Sequence, residues 1–241
     1  MKKLFGLCKA DRPICSAIVP AAGSASRMGG ENKMLMMLDG MPVLVRTILA
    51  LDDARLVDEI VIAAREQDIP VIGDLCKTYG IGKPVKIVRG GANRLESVLL
   101  ASQECRGDAA FLAVHDGARP LASGAFINRV IECAYRTNAA APAVPVKDTI
   151  KVARDGIVES TPDRSTLYAV QTPQVFDAQL LRAALTSAQE LGAAITDDCS
   201  AVERLGKAVY LTDGSYENIK ITTHEDVVLA SSILQRMEGR K

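Results

Sequence analysis

The sequence predicts one α/β domain over residues 1–241, built on a mostly parallel twisted sheet with helices on both faces. Short apolar runs alternate with longer amphipathic segments along most of the chain, as in strands joined by crossover helices. Neither an internal repeat nor a low-complexity linker divides the chain. A chain of 241 residues can bury a core on both sides of such a sheet.

The individual elements follow from this alternation. The apolar runs predict strands over residues 14–20, 59–63, 85–88, 110–115, 139–144, 208–211 and 218–222. The amphipathic segments predict helices over residues 42–51, 69–79, 94–105, 123–137, 178–191, 199–205 and 224–237. Pro42 fits a first helical turn, where its missing N–H costs nothing. Asn93 and Thr223 are suited to cap the helices that follow them.

A protruding β-arm is predicted over about residues 146–173, where the alternation stops. Residues 149–153 alternate in polarity, Asp155-Gly156 is a hairpin turn signal, and a second short strand follows. Because an isolated arm cannot bury both of its faces, we expect it to pack on a second copy of the chain. The sequence therefore predicts a homodimer.

The composition excludes several classes of protein. Basic and acidic residues both number 29, so no bulk charge attracts nucleic acid or an anionic membrane. The six cysteines include no CxxC pair and there are only two histidines, which argues against structural zinc. The N-terminal segment does not have the pattern of a signal peptide, and no apolar run approaches the ~18 residues of a membrane span. We expect a cytoplasmic protein.

The loop after the first strand has the features of a polyphosphate site. Ala21, Ala22 and Gly23 have little or no side chain, so a ligand can approach the backbone closely. Arg27 and Lys33 add two cations to the same loop. Backbone N–H groups combined with cations are typical of phosphate binding.

Alternative interpretations of this loop remain open. A P-loop requires Gly-Lys followed by Ser or Thr, and the chain contains no such triplet. The dinucleotide fingerprint GxGxxG does not match, because Ala25 occupies the position of its second glycine. The loop could also be a purely structural turn whose cations are solvated.

Two further clusters are expected at the same edge of the sheet, because ligands bind at the carboxyl ends of parallel strands. Residues 89–97, RGGANRLES, place Gly91, Arg94 and Ser97 after one strand. The alternative there is a tight turn with a capped helix. The segment VHDGARP places Asp116 and Arg119 after the next strand.

Asp116 is a candidate Mg²⁺ ligand, because this hard cation prefers oxygen. A helix cap or turn is the competing interpretation of Asp116, and we interpret His115 as a packing residue. The segment Thr196-Asp197-Asp198 is interpreted as a capped helix start rather than a metal site.

Near the C-terminus, Asn218, Lys220 and Thr222 would share one face of a predicted strand. A lysine on a buried strand needs an anionic partner, because an unpaired buried charge is costly. A phosphate or a nearby Asp would serve.

Several segments together resemble one family, the 2-C-methyl-D-erythritol 4-phosphate cytidylyltransferases (IspD). The resemblance covers about residues 15–234, and ribitol-5-phosphate cytidylyltransferases share the same layout. The matching segments, in order, are PAAGSASRMG, GGANRLESV, VHDGARP, PVKDTIK, TPDRSTLYAVQTPQVF, TDDCSAVE and NIKITTHEDVVLA.

The resemblance implies a Rossmann-like α/β fold that dimerises by exchanging β-arms. It implies that CTP and 2-C-methyl-D-erythritol 4-phosphate, a polyol phosphate, are joined to give 4-diphosphocytidyl-2-C-methyl-D-erythritol and pyrophosphate. This reaction uses Mg²⁺ and belongs to non-mevalonate isoprenoid precursor biosynthesis.

The resemblance also implies roles for particular residues. Arg27 and Lys33 would grip the triphosphate, Lys220 would approach the α-phosphate, and Asp116 would serve the metal and the nucleotide. The nucleotide site would be lined by Ala21, Ala22, Gly23, Gly91, Arg94 and Ser97. The sugar phosphate would meet Arg119 and, from the partner's arm, Thr149 and Arg164.

The sequence departs from the family's pattern in the first loop and at position 92. Ala25 replaces a usual Gly, Asn32-Lys33-Met34 replaces Pro-Lys-Gln, and the loop is about one residue short. Ala92 stands where a polar residue is common. These changes bear on the loop conformation and on nucleotide affinity.

Three other functions are alternatives to this assignment. The PAAG and GGANRLESV segments favour methylerythritol phosphate over ribitol 5-phosphate as the substrate. A non-catalytic nucleotide-binding protein and a NAD-dependent dehydrogenase are the remaining alternatives.

Overall fold

The computed structural model describes residues 12–23 and 33–239, and it confirms the Rossmann-like, mostly parallel sheet with helices on both faces. The predictions for Ala25, Arg27 and Asn32 lie outside the described residues. No helix within these ranges combines the length and apolar character that a bilayer crossing requires.

The described part of the chain contains twelve strands and seven α-helices. In chain order they are β1 (Cys15–Pro20), β2 (Met37–Leu38), β3 (Met41–Pro42), α1 (Val43–Asp53), β4 (Glu59–Ala64), α2 (Ile69–Thr78), β5 (Val85–Arg89), α3 (Arg94–Glu104), β6 (Phe111–Val114), α4 (Gly124–Thr137), β7 (Ala139–Pro145), β8 (Val152–Arg154), β9 (Ile157–Ser160), β10 (Tyr168–Val170), β11 (Gln174–Asp177), α5 (Ala178–Glu190), α6 (Asp198–Arg204), β12 (Tyr210–Asp213) and α7 (His224–Glu238).

Eight of these strands form the main sheet. β5, β4, β1 and β6 lie side by side and parallel. β11 runs antiparallel between β6 and β7, while β10 pairs antiparallel and β12 parallel with β7. The carboxyl ends of the four parallel strands therefore meet at one edge of the sheet.

The central strands are buried on both faces, which explains why they are almost continuously apolar. In β1, Ala17 and Val19 pack in the cluster that includes α1, α2, α4 and α7. The residue between them, Ile18, packs on the opposite face in the cluster that includes α3, α5 and α6. The hydrophobic core is thus split into two layers by the sheet.

The helix predictions are confirmed to within two residues at each end. Asn93 caps α3 by accepting the N–H of Glu96, and Thr223 caps α7 in a reciprocal capping box with Asp226. Pro42 immediately precedes the first residue of α1 rather than lying in its first turn.

The predicted strand over residues 218–222 is wrong. Asn218 donates its backbone N–H to Ser215, closing a turn, whereas Ile221 donates to Ala118. Thr222 donates its backbone N–H and its hydroxyl to the Asp226 carboxylate at the start of α7. Because neighbouring residues bond to different segments, no ladder forms.

The role of the predicted β-arm in dimerisation stays a prediction, and the structure has a hairpin within the predicted range. β8 and β9 form a hairpin that belongs to no other sheet, and Asp155 and Gly156 turn it with φ values of 50° and 80°. Ile157 and Val158 on this hairpin are 72% and 55% exposed. The C-terminal part of the predicted arm is wrong, because β10 pairs with β7 in the main sheet.

Candidate active site

A cavity of about 400 Å³ opens where the loops after β1, β5 and β6 meet. Most of the residues predicted for the nucleotide and the chemistry lie around it. Its lining consists of Pro20, Ala22, Gly23, Lys33, Met34, Gly91, Ala92, Asn93, Arg94, Ser97, Asp116, Gly117, Ala118 and Lys220.

Close backbone contacts shape one side of this cavity. Ala21 and Gly90 donate their backbone N–H groups to consecutive carbonyls, those of Ala63 and Ala64, at the end of β4. The two loops therefore lie side by side, and a Cβ on Gly90 would overlap the Cβ of Ala22. Ser97 accepts the N–H of Gly91 at 3.1 Å, which fixes the second loop to the first turn of α3.

Asp116 lies at the centre of a cluster of cations. Its carboxylate is 2.9 Å from Lys220 Nζ, 3.6 Å from Arg94 Nη2 and 3.5 Å from Arg119 Nε. Burial alone would raise the pKa of Asp116, but Lys220 and Arg94 outweigh it and hold that pKa below its usual value. Asp116 is therefore an anion at neutral pH.

Sequence reasoning did not identify Asp198 as part of this cluster. Asp198 is fully buried, and its carboxylate lies 2.7 Å from Arg94 Nη2. Burial raises the pKa of Asp198, and Arg94 opposes that rise. The predicted helix start itself is confirmed, because Asp197 caps α6 by accepting the N–H of Ser200.

Lys220 was predicted to lie on a buried strand. In the structure it reaches Asp116 from a loop instead. Its side chain is 39% exposed. The loop is attached to the segment after β6, since Asn218 accepts from Arg119 Nη1 at 2.6 Å and Ile221 donates to Ala118. The anionic partner that Lys220 needs is Asp116 in this structure.

Thr172 connects the end of β6 to the polypeptide before β11. Its Oγ1 accepts the backbone N–H of Asp116 at 3.0 Å and lies 3.0 Å from Nδ1 of His115. His115 is fully buried, and this burial lowers its pKa to about 4. A neutral, enclosed imidazole agrees with the interpretation of His115 as a packing residue.

A smaller cavity of about 180 Å³ adjoins the first. The two cavities share Arg94, Asp116 and Lys220, so the charged cluster forms the boundary between them. The remaining lining of the smaller cavity is Arg119, Val170, Thr172, Gln174, Thr196 and Asp197.

Three other predicted residues line neither cavity, and Arg27 lies outside the described residues. Ala21 is buried between the lining residues Pro20 and Ala22. Of the described residues, Thr149 and Arg164 line neither cavity and are exposed on the arm segment, where Arg164 Nη1 donates to the Lys147 carbonyl at 2.8 Å.

Comparisons with known proteins give a consistent likeness. A family model described as 2-C-methyl-D-erythritol 4-phosphate cytidylyltransferase (IspD) matches residues 15–236. A protein of that name from Bacillus cereus is 43% identical over 218 residues, which cover 90% of this chain and 96% of the relative. Another of that name from Desulforamulus reducens is 45% identical over 223 residues, covering 91% and 95%. The crystal structure of 4-diphosphocytidyl-2C-methyl-D-erythritol synthase from Anaerococcus prevotii is similar with a TM-score of 0.84 at 31% identity, covering 92% and 96%.

Replacing Thr172 by Val should lower the free energy of unfolding by ~1–3 kcal/mol, because the buried N–H of Asp116 loses its acceptor. Urea unfolding at neutral pH measures this change. Thr172→Ser keeps the hydroxyl and is the matched control, with most of the stability retained. A Val variant as stable as the wild type would show that this hydrogen bond does not hold the loop.

Proposed function

The chain belongs to the 2-C-methyl-D-erythritol 4-phosphate cytidylyltransferase (IspD) family, and from this we propose how its site joins CTP to 2-C-methyl-D-erythritol 4-phosphate. The products are 4-diphosphocytidyl-2-C-methyl-D-erythritol and pyrophosphate, an activated intermediate of isoprenoid precursor biosynthesis. The enzyme is thus a nucleotidyltransferase.

The observation that carries this proposal is the cation cluster at the boundary of the two cavities. Arg94, Arg119 and Lys220 contribute three positive charges against the two carboxylates of Asp116 and Asp198 in the same ion-pair network. Lys33 adds a further cation to the lining of the larger cavity. A site with this excess of positive charge can bind a triphosphate and a phosphate monoester side by side, because it reduces the repulsion between the two anions.

The chemistry is a displacement at the α-phosphorus of CTP. An oxygen of the sugar phosphate forms the new O–P bond, the bond from the α-phosphorus to the bridging oxygen breaks, and the electron pair leaves with pyrophosphate. The second pKa of a phosphate monoester is ~6, so the nucleophile is already largely dianionic at neutral pH and needs no general base. This agrees with a described lining that contains no histidine.

The protein's part is positioning and charge stabilisation. Lys33 and Lys220 both line the larger cavity, where they would neutralise charge that builds up on the triphosphate as the bond forms. Arg94 and Arg119 would hold the approaching phosphate monoester, since Arg119 lines the smaller cavity and Arg94 lines both. Asp116 holds Arg94, Arg119 and Lys220 in place before ligands arrive.

The nucleotide fits the larger cavity, whose walls are largely small residues. Ala22, Gly23 and Gly91 let the ligand lie against the backbone, and Ser97 fixes the loop that carries Gly91. Ala21 supports this wall from beneath through its bond to Ala63.

The residues present fit a Mg²⁺ ion bound together with substrate. Asp116 is an anionic carboxylate at the cavity, and Mg²⁺ is commonly held by one or two carboxylates plus phosphate oxygens and water. Within the described ranges no three His, Cys, Asp or Glu side chains could hold a metal by themselves, so the phosphates would complete the site. Bound there, the ion would neutralise part of the triphosphate charge.

The arm supports a homodimer in which each chain completes the other's site. Thr149 and Arg164 lie on its exposed part, away from the cavities of their own chain, and apolar residues of the β8–β9 hairpin are exposed. A partner's arm could bring both residues to the sugar phosphate. Free cysteines at all five described positions agree with a reducing cytoplasm.

Purified protein should release pyrophosphate from CTP when 2-C-methyl-D-erythritol 4-phosphate is present. A coupled pyrophosphate assay with ribitol 5-phosphate in parallel gives the substrate preference directly. Faster turnover of ribitol 5-phosphate would assign the alternative cytidylyltransferase activity. CTP binding without pyrophosphate release from either mixture would instead indicate a non-catalytic protein.

Lys33→Ala and Lys220→Ala should each lower kcat by ~10²–10³, because each removes a cation placed to stabilise the transition state. Steady-state kinetics with both substrates measures the effect, and circular dichroism checks that the fold is intact. Lys77→Ala is a matched control, because this lysine is 82% exposed on α2. Wild-type turnover in either cavity variant would remove that lysine from the mechanism.

Arm exchange can be tested with mixed dimers. Lys33→Ala inactivates a chain's own site, whereas Arg164→Ala removes the contribution of its arm. If arms exchange, a mixture of the two inactive variants regains about a quarter of wild-type activity, since about half the dimers are mixed and each has one complete site. Unfolding and refolding the two variants together allows the chains to mix, and each variant alone is the control. An inactive mixture that contains verified mixed dimers would contradict the exchange.

A further inference from the structure

Arg94 occupies the boundary between the two cavities and is held by two carboxylates. The same nitrogen, Nη2, lies 2.7 Å from Asp198 Oδ2 and 3.6 Å from Asp116 Oδ1. The Arg94 side chain is 29% exposed, so part of the guanidinium faces the cavities, while Asp198 is fully buried behind it. The tighter contact is therefore made on the buried side.

We propose that Asp198 is a positioning residue that holds Arg94 between the two cavities and away from Asp116. This inference rests on the proposed function, in which Arg94 meets the reacting phosphates. Without the Asp198 carboxylate, the guanidinium would close on Asp116, its remaining anionic partner in the network. Asp116 would then lose its ion pair with Lys220. Arg94 would move away from the position where the two substrates meet.

Asp198 can serve in this way because its own backbone is fixed. Gln174 on β11 accepts the N–H of Asp198 at 3.0 Å and the N–H of Cys199 at 3.1 Å. Its amide Nε2 donates to Asp197 Oδ2 at 2.7 Å. Gln174 pairs in register with Val114, the last residue of β6. The first turn of α6 is thus tied to the strand that leads to Asp116.

Stability alone is a weak reason for a carboxylate in this place. Burying an ion pair costs desolvation that the attraction between the charges often does no more than offset, and apolar replacements of such pairs are frequently neutral or stabilising. Both carboxylates approach the same nitrogen of Arg94, and the contact with Asp198, at 2.7 Å, is the shorter of the two. We therefore attribute the presence of a carboxylate at position 198 to its effect on the position of Arg94.

A second Arg–Asp pair provides a matched control. Arg12 and Asp58 are also largely buried and lie 2.8 Å apart, with a second hydrogen bond of 2.8 Å between them. Asp58 precedes β4 and accepts the N–H of Cys15 at the start of β1, so this pair lies at the opposite edge of the sheet from the cavities. Breaking it perturbs stability without touching the site.

The experiment compares Asp198→Asn with Asp58→Asn in steady-state kinetics and thermal unfolding. We expect Asp198→Asn to lower kcat by about tenfold to a hundredfold, the cost of misplacing one reacting group. Asp58→Asn should lower Tm by at least as much and leave kcat unchanged. Wild-type turnover is measured first, because its absence would reject the proposed function itself and not the positioning.

A double-mutant cycle separates positioning from a general structural effect. In an Arg94→Ala background, Asp198→Asn should have no further effect on kcat. Added guanidinium should partly rescue Arg94→Ala and fail to rescue the double variant. Asp198→Glu keeps the charge, so it should fold even if the Asn variant does not, and its effect on kcat must also vanish in the Arg94→Ala background. Wild-type kcat in Asp198→Asn, or an equal loss in both backgrounds, would overturn the inference.

Discussion

The organisation of the site depends on one carboxylate, Asp116, which three cations share. Those cations come from distant parts of the sequence: Arg94 begins α3, Arg119 follows β6, and Lys220 lies in the loop before α7. Like charges brought this close would repel one another, so an anion at their centre is a condition for assembling them. The parallel sheet supplies the place, because its strand ends bring these segments to one edge.

This arrangement also explains how the site can exist before substrates bind. Burial disfavours the charged form of Asp116, and the surrounding cations more than compensate. The cations in turn are kept at distances of 2.9 to 3.6 Å from the carboxylate and do not disperse into solvent. If phosphates replace part of these contacts, as the proposed function requires, a preorganised site of this kind would need little rearrangement. In the proposed function, the ion pairs that assemble this edge of the sheet would also be those that receive the substrates.

Much of the fold could be predicted from the sequence because periodicity is a local property. The buried parallel strands and the amphipathic helices were found in this way, as were the caps at Asn93 and Thr223. β10 and β11 were missed because they are short and antiparallel, and nothing in their own residues shows which strands they join. The segment around Lys220 has a strand-like pattern, yet its hydrogen bonds go to several partners.

The site shows the same limit. Motifs that follow the ends of predicted strands placed Asp116, Arg94 and Ser97 at one cavity. The roles of individual residues came from the family resemblance. The pairing of Asp198 with Arg94 could not be predicted, since the two residues are far apart in sequence and Asp198 follows an ordinary helix cap. Contacts across the fold are properties of packing.

The overlap between Gly90 and Ala22 has a consequence for how the two loops can evolve. A methyl group at position 90 would collide with the Cβ of Ala22, so position 90 cannot take on a side chain while Ala22 stays in place. An alanine at position 90 would require Ala22 to shift or to become glycine, and its Cβ would still lie 3.1 Å from Ser97 Oγ. The size of the side chain at position 22 therefore limits what position 90 can accept at this cavity.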